Sequence, residues 1–157
     1  MAVTSASVAA NPEVRLGTVL TVELLDQGTQ EWIYVHNAGA TDFAEGEVVM
    51  RDTTSRTYEV VHTPASSITL GMRVVGIAQH AIPADQYGFV LKRGIGKVLV
   101  GSGAGVSDVD SLTSGGVEVG SVLVKANSAT AAASTIALAV QAIAASGKGF
   151  AFIDCRG

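Results

Sequence analysis

The sequence predicts an all-β protein. It reads as a small β-barrel or sandwich of short strands, with an additional N-terminal β-sheet region, an extended N-terminal arm and at most one short helix. Three observations carry this. The segment Gly-x-Val-Leu-Val occurs at Gly96–Val100 and Gly120–Val124, with looser copies at Gly17–Thr21 and Gly46–Met50. Each reads as a tight turn running into a strand, because glycine takes the positive φ that the turn needs and β-branched residues favour the strand. The apolar runs are short and punctuated by turn residues, the spacing of a barrel or sandwich and not of alternating βαβ units. Where a run shows a period, the period is two: Trp32, Tyr34 and His36 fall on one face, Ile33 and Val35 on the other.

The elements follow in order. Residues Met1 to Glu13 are rich in Ala, Ser, Val and Thr and nearly uncharged. They read as an arm, either a disordered terminus or a segment that orders on a neighbouring subunit by strand addition. Gly17 to Leu25 is a strand, and Asp26-Gln27-Gly28 is its turn. Glu31 to His36 is the second strand, ended by Asn37-Ala38-Gly39. Glu47 to Met50 and Thr57 to His62 pair across the loop Arg51 to Arg56. Thr63-Pro64-Ala65-Ser66-Ser67 is the best internal break, since proline cannot serve a central ladder. The organisation is therefore an arm (1–13), an N-terminal β region (14–63) and a second β region (68–157), the last two either separate or joined in one compact domain.

The second region offers strands at Met72–Gln79, Gln86–Leu91, Lys97–Val100, Gly116–Val119, Val122–Lys125, Ile136–Val140 and Phe150–Cys155. Alanines between Ser128 and Ser146 favour helix by propensity, yet Ile136, Leu138 and Val140 alternate as a strand does. The expectation is a strand at Ile136–Val140 and a single helical turn at Gln141–Ala145. An internal repeat is also visible. Val74–Ala78, Tyr87–Val90 and Arg93-Gly94 match Ala137–Gln141, Phe150–Ile153 and Arg156-Gly157.

Of the 157 residues 15% are charged, the net charge is −4 and there is one cysteine. Charge this sparse leaves a weakly solvated surface, which fits either cover by partners or a small, tightly wound β domain. No basic stripe with interleaved aromatics is present, so nucleic acid is not an expected partner. No signal peptide or membrane span is expected, and synthesis and use in a cytoplasm are. Cys155 closes an apolar run and reads as a buried or edge thiol.

Catalytic motifs are missing. Gly101-Ser102-Gly103-Ala104-Gly105 follows a strand as a dinucleotide loop does, but Ser111 to Gly116 reads as loop where that site needs a helix. Ser146-Gly147-Lys148-Gly149 lacks the remainder of a P-loop and reads as a hairpin turn. Asp108 and Asp110 fit loop capping. His36, His62 and His80 sit in no two-histidine ligand motif. No catalytic residue, metal site or cofactor is expected. Trp32, Tyr34 and Tyr58 read as core anchors or as an exposed contact face.

The stretch Val74–Ala78, Ile82-Pro83-Ala84, Tyr87–Val90 and Gly94, with Gly120–Val124 and the closing Phe-x-Phe-Ile strand, resembles the capsid decoration, or cement, proteins of tailed bacteriophages. That group includes the lambda-type head decoration proteins and related cement β-barrels, and the resemblance covers about Met72 to Gly157. It implies a virion structural protein on the capsid exterior, a trimer that binds major capsid protein subunits and stabilises the shell, with an arm that adds to a capsid strand. The candidate partner-binding residues are Val3, Val8, Val14, Arg15, Trp32 and Tyr34. The alternative is a fibre, spike or carbohydrate-binding module of a virion.

Overall fold

The computed structural model of the chain describes residues 5–54, 58–64, 73–114, 119–124 and 135–156. It is all-β, with no α-helix among the described residues. The strands are β1 (Val8–Ala9), β2 (Val19–Leu24), β3 (Gly28–Asn37), β4 (Val48–Arg51), β5 (Glu59–His62), β6 (Val74–Ile77), β7 (Tyr87–Leu99), β8 (Ser111–Ser114), β9 (Val122–Val124), β10 (Thr135–Ala139) and β11 (Lys148–Asp154).

The strands close two rings, and the rings have the same topology. In the first, β3 runs parallel to β5, and the pairs β5–β4, β4–β6, β6–β7 and β7–β3 are antiparallel. In the second, β7 meets β9 through the parallel bridge Val100↔Val122, and β9–β8, β8–β10, β10–β11 and β11–β7 are antiparallel. Strand β7 is last in the first ring and first in the second. A repeat is therefore present in the structure, β3 to β7 corresponding to β7 to β11, but its register differs by two residues from the one read in the sequence: the bridges Ile82 and Ile143 set Phe89 against Phe150, where the sequence match set Tyr87 there.

The turns repeat with the strands. Phe43 bridges Ile82 in the first ring, and Val106 bridges Ile143 in the second. Each bridge residue leads into a β-turn closed by a backbone hydrogen bond: Glu47 N–H to Ala44 O, Gln86 to Pro83, Asp110 to Ser107 and Gly147 to Ala144. The third residue of each turn has positive φ: Gly46 (91°), Asp85 (58°), Val109 (61°) and Ser146 (57°). A carboxylate locks two of these turns, with Ala44 N–H donating to Glu47 Oε2 and Ser107 N–H to Asp110 Oδ2, both at 2.7 Å.

Several expectations are corrected. Three of the four glycine joints are turns with positive φ, at Gly17, Gly46 and Gly120, but Gly96 lies inside β7. It is glycine because a Cβ there would collide with Leu91 and Gln79, not because the chain turns. Gln86–Leu91 and Lys97–Val100 are accordingly one strand of 13 residues. Ser111–Ser114, expected as loop, is β8. The helical turn at Gln141–Ala145 does not form: Ile143 bridges Val106, and the chain turns back at Ala144–Gly147. Of the strand expected at Gly116–Val119, residues 116–118 lie outside the described residues and Val119 sits in a turn. The break at Thr63–Ser67 falls between β5 and β6, which flank the same strand, β4; beyond Pro64 it leaves the described residues.

Two packed cores follow from the alternation. Ile33, Val35, Phe43, Val49, Val60, Val75, Ala78, Ile82 and Val90 fill the first ring. The second cluster joins the interior of the second ring, from Val98 and Leu112 to Ala151 and Ile153, with Trp32, Tyr34, Phe89 and Leu91 on the opposite faces of β3 and β7. Strand β3 is thus buried on both faces over Trp32–Val35.

Candidate assembly surface

The arm and its junction pack on this chain's own sheet. Strand β1 pairs antiparallel with β7, Val8 opposite Gly88 and Ala9 opposite Tyr87. Gly88 permits the approach: a Cβ there would sit 3.0 Å from Ile82 Cδ1 and 3.4 Å from Ser7 O. Glu13 N–H then donates to Tyr34 Oη at 3.1 Å. Gly17 N–H donates to Tyr34 O at 2.8 Å, and Tyr34 N–H to Thr18 O at 2.9 Å. Gly17 has φ of 82°, and its missing Cβ makes room for the Tyr58 ring. Val14, Leu16, Leu20 and Val22, all partly buried, pack on the cluster that contains Trp32. β2 continues the sheet, with Leu20 opposite Trp32 and Val22 opposite Gln30.

The sequence-predicted contact residues separate on this basis. Val8 and Arg15 are exposed, and Val14 is half-buried. Val3 lies outside the described residues. Trp32 and Tyr34 are interior side chains and take the core role. Trp32 Nε1–H donates to Gln30 Oε1 at 3.0 Å, and Gln30 Nε2 in turn donates to Ile95 O at 2.6 Å. Burial raises the Tyr34 hydroxyl pKa above its ordinary value, against the opposing hydrogen bond from the Glu13 backbone.

The polar clusters serve turns and strand ends. His62 Nε2 lies 2.8 Å from Glu47 Oε2, and the ring stands edge-on to Phe43. Burial works to raise the Glu47 carboxyl, but the hydrogen bonds from His62 and from Ala44 N–H outweigh it, so the pKa lies below its ordinary value. His36 stacks on Tyr87 with Nε2 3.2 Å from Asp85 Oδ1. His80 stands apart, its Nε2 buried and its pKa lowered by burial. Burial likewise pushes the Cys155 thiol up to about 12, so it is no nucleophile at neutral pH. Among the described residues no three His, Cys, Asp or Glu side chains converge to hold a metal ion. The Gly101–Gly105 loop runs into the Val106 bridge and β8, which gives it no helix N-terminus for a phosphate.

Sequence reasoning missed a surface on the second ring. Leu138, Phe152 and Ile95 lie side by side across β10, β11 and β7. Phe152 is 40% exposed, Leu138 41% and neighbouring Val140 47%. Phe152 also borders two shallow depressions. One, of about 230 Å³, includes Thr29, Glu31 and Arg93; the other, of about 170 Å³, includes Thr135, Leu138, Asp154 and Arg156. The signal was present as the alternation Phe150-x-Phe152, but the sequence does not say which of the two faces of β11 is covered.

No protein family and no curated protein matches the chain by sequence. Among solved structures the fold is similar to the N base of the head fibre gp8.5 of bacteriophage phi29. The match covers 78% of this chain and 94% of that one, with a TM-score of 0.55 and 11% identity. At that identity the likeness is one of fold.

Proposed function

We propose that the chain is a structural protein of a bacteriophage virion that decorates the outside of the capsid, binding major capsid protein subunits and stabilising the shell. The observation that carries this reading is the fold shared with a phage head-fibre base over most of both chains. The side-chain chemistry agrees with a non-enzymatic role. His36 and His62 are spent on a turn and a strand end, the thiol is buried, and apolar side chains are exposed on a sheet face. A β domain repeated over a lattice needs only weak individual contacts, because avidity multiplies them.

A second reading, the base of a fibre or spike, is favoured by the same neighbour, which is itself a fibre base. A glycan-binding version of it loses its anchor, since Trp32 is buried with its N–H satisfied inside the fold.

The test is addition of purified protein to capsid shells lacking it. Decoration predicts saturable binding at many copies per shell and a higher temperature of shell disruption. A fibre base predicts binding at few copies with no change in that temperature. Failure to bind shells at all refutes both. A trimer, the assembly implied by the cement-protein resemblance, is checked by sedimentation equilibrium of the free protein.

A further inference from the structure

The two repeats differ in what covers them. On the first, the outer face of β3, β7 and β6 presents Trp32, Tyr34, Phe89, Leu91 and Ile77, and all are buried. Residues 8–22 provide the cover: β1 adds to the edge of β7 at Gly88 and Tyr87, and Val14 and Leu16 pack on the apolar cluster that these residues join.

The registers identify the same places on the second repeat. Phe89 opposite Tyr34 corresponds to Phe150 opposite Lys97, and Leu91 opposite Trp32 to Phe152 opposite Ile95. Ile77 opposite Leu91 corresponds to Leu138 opposite Phe152. The glycine is repeated too: Gly88 faces Ile82 and Gly149 faces Ile143, with the exposed Gln141 side chain beside Gly149 where Ser7 O of the arm stands beside Gly88. Yet Phe152 and Leu138 are exposed where Leu91 and Ile77 are fully buried. Strand β10 pairs with β11 at Ala151–Ile153 and Val140 N–H extends the contact to Phe150 O, but among the described residues no strand adds at Lys148–Gly149, where β1 adds on the first repeat.

We propose that the outer face of β10 and β11, with the edge at Lys148–Gly149, docks an extended, sparsely charged segment of a partner protein with apolar side chains at alternate positions. The segment sits as residues 8–22 sit on the first repeat, by strand addition at the edge and apolar packing on the face. Among the described residues there are two such sites and one such segment, already spent on the first. The vacant face also runs on from the occupied surface, since Gln30, paired with Val22, reaches Ile95 O, and Thr29 and Glu31 border the same depression as Phe152. At one end Lys97 and Lys148 replace Tyr34 and Tyr87, and Glu45 pairs with both, which leaves one net positive charge there. The inference goes beyond the virion reading and holds whichever protein supplies the segment.

The test is a titration of the ¹⁵N-labelled full chain with a synthetic peptide of its own residues 5–22, followed by amide shifts. Saturable shifts are expected at Val140 and Lys148–Phe152, and affinity should fall about tenfold or more in a Phe152→Glu variant. That side chain is exposed, so the rest of the variant's spectrum should match the wild type. Shifts at Tyr87–Leu91 instead would mean that the peptide displaces the chain's own segment, and would overturn the proposal. No shift at millimolar peptide, or equal shifts with a scrambled peptide, would overturn it as well. An oligomeric wild type that becomes monomeric on Phe152→Glu would assign the face to a second copy, with the same consequence.

Discussion

Val109 is the β-branched member of a set of four turn positions whose other members are Gly46, Asp85 and Ser146. Its φ is 61°, and it stands where Gly46 stands in the first repeat, three residues past the bridge residue. An L-residue in the left-handed region costs about 1–2 kcal/mol, and a β-branched one belongs at the upper end. Val109→Gly removes that cost. The unfolded chain gains freedom worth about 0.5–1 kcal/mol against the folded state. The side chain is 75% exposed, so the lost burial is small, about 0.5 kcal/mol. The balance is a gain of about 0.5–1 kcal/mol, seen as a rise in Tm of roughly 1–4 °C for a chain of this size. Urea denaturation and calorimetry on the purified pair measure it, with the m-value unchanged because the surface exposed on unfolding stays nearly the same. A variant less stable than the wild type would refute the reasoning, because it would mean that Val109 does not hold this conformation or packs against something beyond the described residues.

Three further outcomes follow from the same geometry. Gly46→Ala should cost about 2–4 kcal/mol, since its φ is 91° and a Cβ would stand 2.8 Å from Leu99 N, whereas Gly28→Ala, with φ of 71° and nothing within 4 Å, should cost only about 1 kcal/mol; urea midpoints compare them. His80→Gln places in the first repeat the residue that Gln141 supplies in the second. Burial holds the folded His80 pKa below 6.5, so the unfolded state takes up the proton first and wild-type stability falls as pH drops from about 6.5 through the folded pKa; the variant's melting temperature should be flatter across that window. Glu47→Gln should lower stability at pH 7 by about 1–2 kcal/mol through its bonds to His62 and Ala44 N–H. Because the folded carboxyl titrates below 4.5, that deficit should shrink as pH falls beneath this value.

The fold class and most strands were legible because they rest on local signals. The period of two in Trp32–His36 placed the two faces of β3 correctly, and glycine marked three true turns. What stayed hidden has nonlocal causes. Asp85, Val109 and Ser146 take positive φ without glycine, so a motif that recurs in both rings showed only where glycine occupied it. Gly94 and Gly96 looked like punctuation but lie within β7, and both are glycine because Gln30, Leu91 and Gln79 press against the backbone. The alanine-rich stretch before β11 favoured a helical turn by propensity, and the bridge from Ile143 to Val106 overrode it. The contact residues divided for the same reason: alternation puts Trp32 and Tyr34 on one face, but their cover arrives from β2 and residues 14–16.

The sparse charge of the chain left two explanations open, tight winding or cover by partners, and the two repeats bear on them differently. In the first, β3 and β7 have apolar residues on both faces because one face fills the ring and the other lies under residues 8–22. Internal packing accounts for that stretch. In the second, Ala151 and Ile153 fill the ring, while Phe150 and Phe152 point the other way, half-buried and exposed respectively. The ring core does not require aromatics at those positions, since the alternate residues already supply its contacts. An exposed phenylalanine flanked by an exposed leucine and valine gains nothing for the isolated fold. The duplication therefore separates the two contributions: apolar content in the first repeat is covered by the chain itself, while Phe152 and Leu138 in the second stay exposed among the described residues, the patch that the proposed partner segment would cover.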